Sequence, residues 1–263
     1  MNKSLKTLEK AIDILCLFDP EQEELSAQDI ADKLHIPLST TYRYLQVFVD
    51  KQFLSKDELT NRFCLGLTIV KLGLLAVEKI SVIQIAHSHL KFLAASCLET
   101  AALTVLDGLR LIIVDAIESP RPAKLALGRG SILPLYAAAP GKAVLAYSDH
   151  SFIDHVIETT GLVKLGKNTI TEPDGLEKEL ALIRRSGFAE SDSEFELGLA
   201  SVAAPIFDHK GKVIGSIYAT GPSARIFENK PEFIEQVMET ARKISSELGH
   251  GKSSQGAGIT SRV

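Results

Sequence analysis

Along this chain the spacing of apolar positions alternates between helical and strand-like, and each change marks an element. Leu5, Leu8, Ile12, Leu15 and Phe18 recur at helical spacing and predict one amphipathic helix, ended by Asp19-Pro20. Ser26-Ala27-Gln28-Asp29-Ile30-Ala31-Asp32-Lys33-Leu34 starts a second, with Ser26 and Asp29 placed as a box-like N-terminus. His35-Ile36-Pro37 breaks it, because proline lacks the N–H that a continuing helix needs. A third helix follows over about 38–51, with Leu45 and Phe48 or Val49 at core spacing. Residues 53–56, 57–61 and 62–65 read as strand, turn, strand, and Gly66 closes the unit. Helix, turn, helix and hairpin in this order predict a winged helix-turn-helix.

Residues 67–80 are apolar nearly all round, from Leu67, Ile69 and Val70 to Val77 and Ile80. A helix of this kind must bury itself, and a second copy of the chain is the simplest partner. Another helix, about 82–98, opens the next region. From Thr100 the period shortens. Residues 101–107 and 111–117 flank Gly108-Leu109-Arg110 as a hairpin, and Ala123–Leu127 reads as a further strand. Gly128-Arg129-Gly130-Ser131 is a loop, and 141–149 reads as helical. A helix starts at Pro173-Asp174 and ends at Ser186-Gly187. Residues 201–208 and 212–220 form a second hairpin around His209-Lys210-Gly211, and 233–248 a closing helix. The tail, 249–263, is rich in Gly and Ser and reads as disordered. The fold class is α/β of the α+β kind: 1–66 a winged helix-turn-helix, 67–80 a linker and dimerisation helix, 81–248 a domain with a mostly antiparallel sheet.

Composition narrows the class. The chain has 263 residues, 45% apolar and 24% charged, as soluble globular proteins do. No apolar run is long enough for a bilayer and no signal-peptide layout opens the chain, so a cytoplasmic protein is expected. Net charge is −4, and the first 80 residues carry ten Lys plus Arg against twelve Asp plus Glu, so any basic surface must be a local patch. Its candidates are Lys3, Lys6, Lys10, Arg43 and Arg62. Counterion release needs only several well-placed cations. Cys16, Cys64 and Cys97 are too scattered for a zinc motif and read as reduced and packed. The histidines have no acid partners in register for a metal site, and no Ser/His/Asp set or nucleophile elbow appears. Asp107, Asp115 and Glu118 read as turn and strand-end residues. No enzyme activity, cofactor or metal is therefore expected.

Two stretches carry chemistry. Ser39-Thr40-Thr41-Tyr42-Arg43 opens the third helix with hydroxyls, a phenol and a guanidinium. Hydroxyls and helix N–H groups hold phosphates, and Arg reads guanine edges in the major groove. A capped surface helix is the plain alternative, and the adjoining turn and wing favour DNA contact over it. Arg62, in the wing, is a candidate phosphate contact. In Ala137-Ala138-Ala139-Pro140-Gly141-Lys142, small side chains let a ligand approach a helix start. Tight loop packing is the plain alternative there. The run lacks the glycines and trailing Ser/Thr of a phosphate loop.

Taken together, these segments resemble the IclR family of bacterial transcriptional regulators. The resemblance rests on Leu8–Leu15, on Ile36-Pro37-Leu38-Ser39-Thr40-Thr41-Tyr42-Arg43-Tyr44-Leu45 and on Arg62–Gly66. It continues through Asp115–Pro120, Leu133–Ala146, Leu197–Asp208 and Ser216–Pro222, so it covers nearly the whole chain. It implies a GAF-like effector domain, a homodimer or dimer of dimers, a double-stranded DNA operator and a small carboxylate or sugar-acid effector. By motif position it places the effector pocket at Leu125, Leu133, Ala139, Pro140, Gly141, Ser191, Asp192, Leu199, Ser201, Tyr218 and Thr220. Two residues depart from the family pattern. Pro140 removes a backbone N–H donor, and Tyr218 is bulkier than the small residue often found there. The expectation is a ligand-responsive, sequence-specific DNA-binding transcriptional regulator, a repressor, in a family whose members repress or activate genes. The rivals are a protein-interaction module and a small-molecule enzyme in the second half.

Overall fold

The computed structural model describes residues 3–19, 22–79, 81–121 and 128–251. The strand expected at 123–127, Leu125 with it, and nearly all of the tail lie outside these residues. The chain divides into two compact units, Met1–Ile80 and Ser81–Val263.

The first unit runs α1 (Lys3–Leu15), α2 (Ala27–Leu34), α3 (Leu38–Asp50), β1 (Leu54–Lys56), β2 (Phe63–Leu65) and α4 (Leu67–Lys79). The Ser26 hydroxyl accepts from Asp29 N–H, and the Asp29 carboxylate accepts from Ser26 N–H. This capping box starts α2 and holds the Asp29 carboxyl below its usual range. His35 then takes a left-handed φ of 51° and ends the helix, so the chain can turn into α3. Ile14, Ile30, Leu45, Leu54 and Phe63 form the core. Leu45 is buried and Tyr44, Phe48 and Val49 pack against it, as their spacing requires. The expected stripe on α1 holds only at its C-terminal end, where Leu15 and Phe18 pack against the core. Ile14 is the buried residue, whereas Leu8 and Ile12 are 58% and 52% exposed. Cys16 is exposed rather than packed.

The second unit runs α5 (Ser81–Cys97), β3 (Thr100–Asp107), β4 (Arg110–Ile117), β5 (Ile132–Leu133), α6 (Ala139–Leu145), α7 (His150–Thr160) and α8 (Pro173–Ser186). It continues through β6 (Ala189–Asp192), β7 (Leu199–Phe207), β8 (Val213–Pro222), α9 (Ser223–Glu228) and α10 (Lys230–Glu247). The strands form one antiparallel sheet in the order β5-β4-β3-β8-β7-β6. Strand alternation gives the sheet two faces. α5 and α10 pack on one; α6 packs on the other, with α8 behind it. The α6 side holds Ala102, Ala189, Ala203 and Tyr218 in one cluster with Ala143, Leu145, Leu176 and Leu180. Asp115 is no strand-end residue. It is buried, and takes hydrogen bonds or ion pairs from His87 Nδ1 at 2.7 Å and Arg129 Nη2 at 2.6 Å.

Two backbone features bring α6 onto the sheet. A Cβ on Gly141 would stand 2.4 Å from the Pro134 oxygen and 2.5 Å from the Leu135 oxygen, so only glycine allows this approach. Ala138, the residue before α6, has φ 145° and ψ 153°, a region almost confined to glycine. Since both obstacles at Gly141 are backbone atoms, Gly141→Ala is expected to cost about 3 kcal/mol or more. Urea denaturation followed by circular dichroism would read that loss as a lowered midpoint; an unchanged midpoint would mean that α6 can shift freely.

Candidate functional site

The α3 helix begins without a side-chain cap, its N-cap being Pro37. Ser39, Tyr42 and Arg43 are exposed on its first turns, and Thr40 is half-buried. Among the described residues Arg43 makes no ion pair, so its guanidinium is available. Thr41 departs from the sequence expectation. It shares the inward face with Leu45, one turn on, and is 0% exposed. Its hydroxyl donates to the Pro37 carbonyl at 3.3 Å, so it secures the turn and cannot touch a surface partner.

The wing is a tight turn between β1 and β2. The Asp57 carboxylate accepts N–H bonds from Leu59 and Thr60, which hold its carboxyl below the usual range. Arg62 lies at the base of this turn and not at its tip. Its guanidinium donates to the Glu24 carbonyl at 3.1 Å and stands 4.0 Å from Asp29. It thus ties the wing to the start of α2, although half the side chain remains exposed.

A cavity lies over the α6 face of the sheet. Leu133, Ala138, Pro140, Ser191, Phe195, Glu196, Leu199, Ser201, Tyr218 and Thr220 line it. Strand register explains the polar row: Ser191 pairs with Ser201, and Ser201 with Thr220. Tyr218 pairs with Ala203 on one side and Ala102 on the other, and these small neighbours leave room for its ring. The open volume is about 20 Å³, enough for a single water.

The hydroxyls differ in how they are used. Ser191 and Ser201 share a hydrogen bond of 2.7 Å, and Thr220 donates to the Ala200 carbonyl at 3.0 Å. Tyr218 is 3% exposed, and among the described residues its hydroxyl has no partner. Burial raises its phenol well above the ordinary range, so at neutral pH it is a proton donor. No cation lines the cavity among the described residues, and Glu196 stands exposed at its edge.

Seven of the residues expected here do meet: Leu133, Pro140, Ser191, Leu199, Ser201, Tyr218 and Thr220. Three described ones do not. Ala139 is sealed in the core, and Gly141 faces the 134–135 carbonyls. The Asp192 carboxylate accepts from the Ser193 and Ser223 hydroxyls and shapes the loop beyond β6 instead.

Beneath the cavity lies an ion cluster that sequence reasoning missed. Lys142 is 1% exposed, and its Nζ sits 2.5 Å from Glu194 Oε1 and 3.0 Å from Glu179 Oε1. Glu194 belongs to the segment that supplies Phe195 and Glu196. The pair therefore ties α6, α8 and the rim of the cavity together. Burial pushes the Glu194 carboxyl above its usual range despite the nearby ammonium, and its Oε2 has no partner. A Lys at the second turn of a short apolar helix was the only available signal. Removing one member of such a cluster leaves uncompensated buried charge, so Lys142→Met is expected to cost about 3–5 kcal/mol. Replacing Lys142 and Glu194 together by apolar residues is expected to recover part of that loss in thermal unfolding. A double variant whose loss equals the sum of the two single losses would show that Lys142 and Glu194 are not electrostatically coupled.

Comparison with known proteins agrees with both units. Residues 7–58 match the IclR helix-turn-helix domain, and residues 74–246 match the C-terminal domain of the bacterial transcriptional regulator IclR. The chain is 29% identical to the HTH-type transcriptional regulator KipR of Bacillus subtilis, over 95% of this chain and 100% of that protein. It is 30% identical to the HTH-type transcriptional repressor AllR of Escherichia coli, over 94% and 92%. The crystal structure of the Thermotoga maritima IclR matches with a TM-score of 0.75 and 29% identity, over 94% and 100%. Among the described residues no helix is long and apolar enough to cross a membrane, and no group of metal-binding side chains comes together. A winged helix-turn-helix joined in sequence to an antiparallel α/β unit, matched along both parts, makes this chain a member of the IclR family of bacterial transcriptional regulators.

Proposed function

We propose that this regulator acts in the cytoplasm as a homodimer, or a dimer of dimers, which grips an operator through α3 and releases or tightens it when a small acid enters the α6 cavity. The observation that carries the DNA reading is the uncapped start of α3, with Ser39, Tyr42 and the unpaired Arg43 exposed on it. Such a helix start offers N–H groups to phosphates, and a free guanidinium can take the two acceptors of a guanine. Thr40 supports the contact from the flank. Arg62 contributes to phosphate binding with whatever N–H groups its Glu24 bond leaves unused. Thr41 takes no part.

Exposed apolar residues support the second copy. Leu8 and Ile12 on α1, with Leu67, Val70, Leu72 and Leu75 on α4, are each about half exposed or more. Exposed apolar rows on two helices are the kind of surface a partner would cover.

The cavity suits a singly charged, hydroxylated acid. Tyr218 offers a donor without a partner, and Ser191, Ser201 and Thr220 supply a row of hydroxyls. A polyanion would find no cation there and would meet Glu196. With space for one water, the cavity must widen on binding. The ligand then favours one of two states in proportion to its differential affinity for them. Repression is the direction we favour, because the 30% identical AllR is a repressor.

Arg43→Ala is expected to weaken binding to the DNA upstream of this protein's own reading frame by roughly tenfold or more, one bidentate base contact being worth about 1–3 kcal/mol. Thr41→Ser should leave that affinity unchanged. Gel shifts with excess nonspecific competitor check both, and an Arg43→Ala protein that binds as tightly as the parent would remove α3 from the interface. A protein that ignores all DNA at low salt would favour the interaction-module reading, for which the acidic balance of the first 80 residues speaks.

A further inference from the structure

Among the described residues that line the Tyr218 cavity, Glu196 alone is charged; the others are apolar or hydroxylated. It was absent from the pocket expected by motif position. Tyr218 is 3% exposed, whereas Glu196 is open to solvent. The phenol therefore stands deep in the cavity and the carboxylate at its mouth. Among the described residues the Glu196 carboxylate makes no hydrogen bond or ion pair, so it is available to an entering molecule.

The main chain keeps Glu196 on the rim. Segment 193–198 links β6 to β7, and Ser193 and Gly198 near its ends take left-handed φ of 54° and 77°. The Ser193 hydroxyl accepts from the Gly198 N–H at 3.0 Å, and the Ser193 N–H donates to the Leu199 carbonyl at 2.8 Å. The Gly198 carbonyl accepts from the Ser223 N–H at 2.9 Å. On the inner side Glu194 is fastened by Lys142, and its carbonyl accepts from the Thr169 hydroxyl.

An acid seated with its carboxylate on the Tyr218 phenol turns its other end toward the mouth. A carboxylate can only accept hydrogen bonds. A second carboxylate on the ligand would thus meet Glu196 with like charge and no donor between them. A hydroxyl at that end would donate to Glu196, a charge-assisted bond. An apolar end would gain neither. We propose that Glu196 is the specificity-determining residue of this cavity: it selects an acid with one carboxylate and a hydroxyl at the other end, and refuses the dicarboxylate of the same length. This role rests on the reading, given above, that the cavity takes a small acid.

Calorimetry of the full chain with matched pairs provides the test. The pairs are glycolate and oxalate, 3-hydroxypropionate and malonate, 4-hydroxybutyrate and succinate, and gluconate and glucarate. For the length that fits, the hydroxy acid is expected to bind about tenfold or more tightly than its diacid. Because Glu196 is exposed to screening, that gap should narrow in about 1 M salt. Glu196→Gln keeps the shape and removes the charge, and is expected to bring the two acids to within about threefold of each other. A second cavity, about 230 Å³, lies at the junction of α5, α9 and α10. It shares no lining residue with the first and presents Arg121 and Arg225 beside Glu228 and Glu232. Tyr218→Phe tells the two apart, since it weakens only an acid held in the Tyr218 cavity. A parent that binds both members of every pair equally, or a Glu196→Gln variant that keeps the parent's gap, overturns the role of Glu196. If Tyr218→Phe still weakens the hydroxy acid in that case, the acid reading of the cavity stands. Binding by no acid of the panel, or binding that Tyr218→Phe leaves untouched, overturns that reading and the role of Glu196 with it.

Discussion

A single buried ammonium ties together α6, α8 and the segment after β6 in the second unit of this protein. Lys142 reaches Glu179 on α8 and Glu194 beside the cavity rim while it is itself sealed from solvent. Such a lysine is tolerable only when its hydrogen-bonding partners are in place. It can reach them only because α6 lies against the carbonyls of residues 134 and 135, an approach that depends on Gly141 having no side chain. Placing α6 in turn places Ala138 and Pro140 along the cavity. Glycine, buried charge and cavity wall are thus links of one chain, and the strained backbone of Ala138 sits where that chain meets the cavity.

The sheet divides the work of the second unit. Alternation sends Tyr218, Thr220, Ser201 and Ser191 toward α6, where they supply hydroxyls around a space of about 20 Å³. At the edge where β3 begins and β8 ends, Glu99 gathers Arg121 and Arg225 beside α9 and α10. The two cavities draw on different physics. The first offers mainly neutral hydroxyls around a small space, and the second offers charges of both signs around a larger one. In the first unit, the contrast between helix starts is equally telling. α2 is closed by its own capping box, whereas α3 has no side-chain cap: the Pro37 carbonyl accepts from the Thr40 and Thr41 N–H groups, and those of Leu38 and Ser39 make no bond among the described residues.

Much of this was legible in the sequence, and the rest was hidden for identifiable reasons. The Ser26–Asp29 box, the break at Pro37 and the turns at Gly108 and Gly211 are local, so they could be read from neighbouring residues. The six-stranded order and the pairing of Ser191, Ser201 and Thr220 join residues far apart, and periodicity cannot supply that register. The α1 stripe, which holds only at its C-terminal end, shows how a helix with several apolar choices leaves its phase undecided. Thr41 was legible in principle, since it stands one turn before Leu45 on the buried face, but its hydroxyl made it look like a contact. For the Lys142–Glu194–Glu179 cluster the sequence offered only a lysine in a short apolar helix, because its partners are separated from it by tens of residues. Asp115 was misread for the same reason, its partners His87 and Arg129 lying on other elements.

The central claim is that occupancy of the Tyr218 cavity changes operator affinity. The direct measurement is the dissociation constant of the chain for its upstream DNA, at fixed salt, across a panel of small hydroxylated carboxylates and sugar acids, for the parent and for Tyr218→Phe. The account predicts that one acid class shifts the parent's affinity by at least several-fold. It also predicts that Tyr218→Phe, with its free affinity for DNA preserved, responds only at much higher concentration. An acid that shifts both proteins equally would place the sensor elsewhere and contradict it.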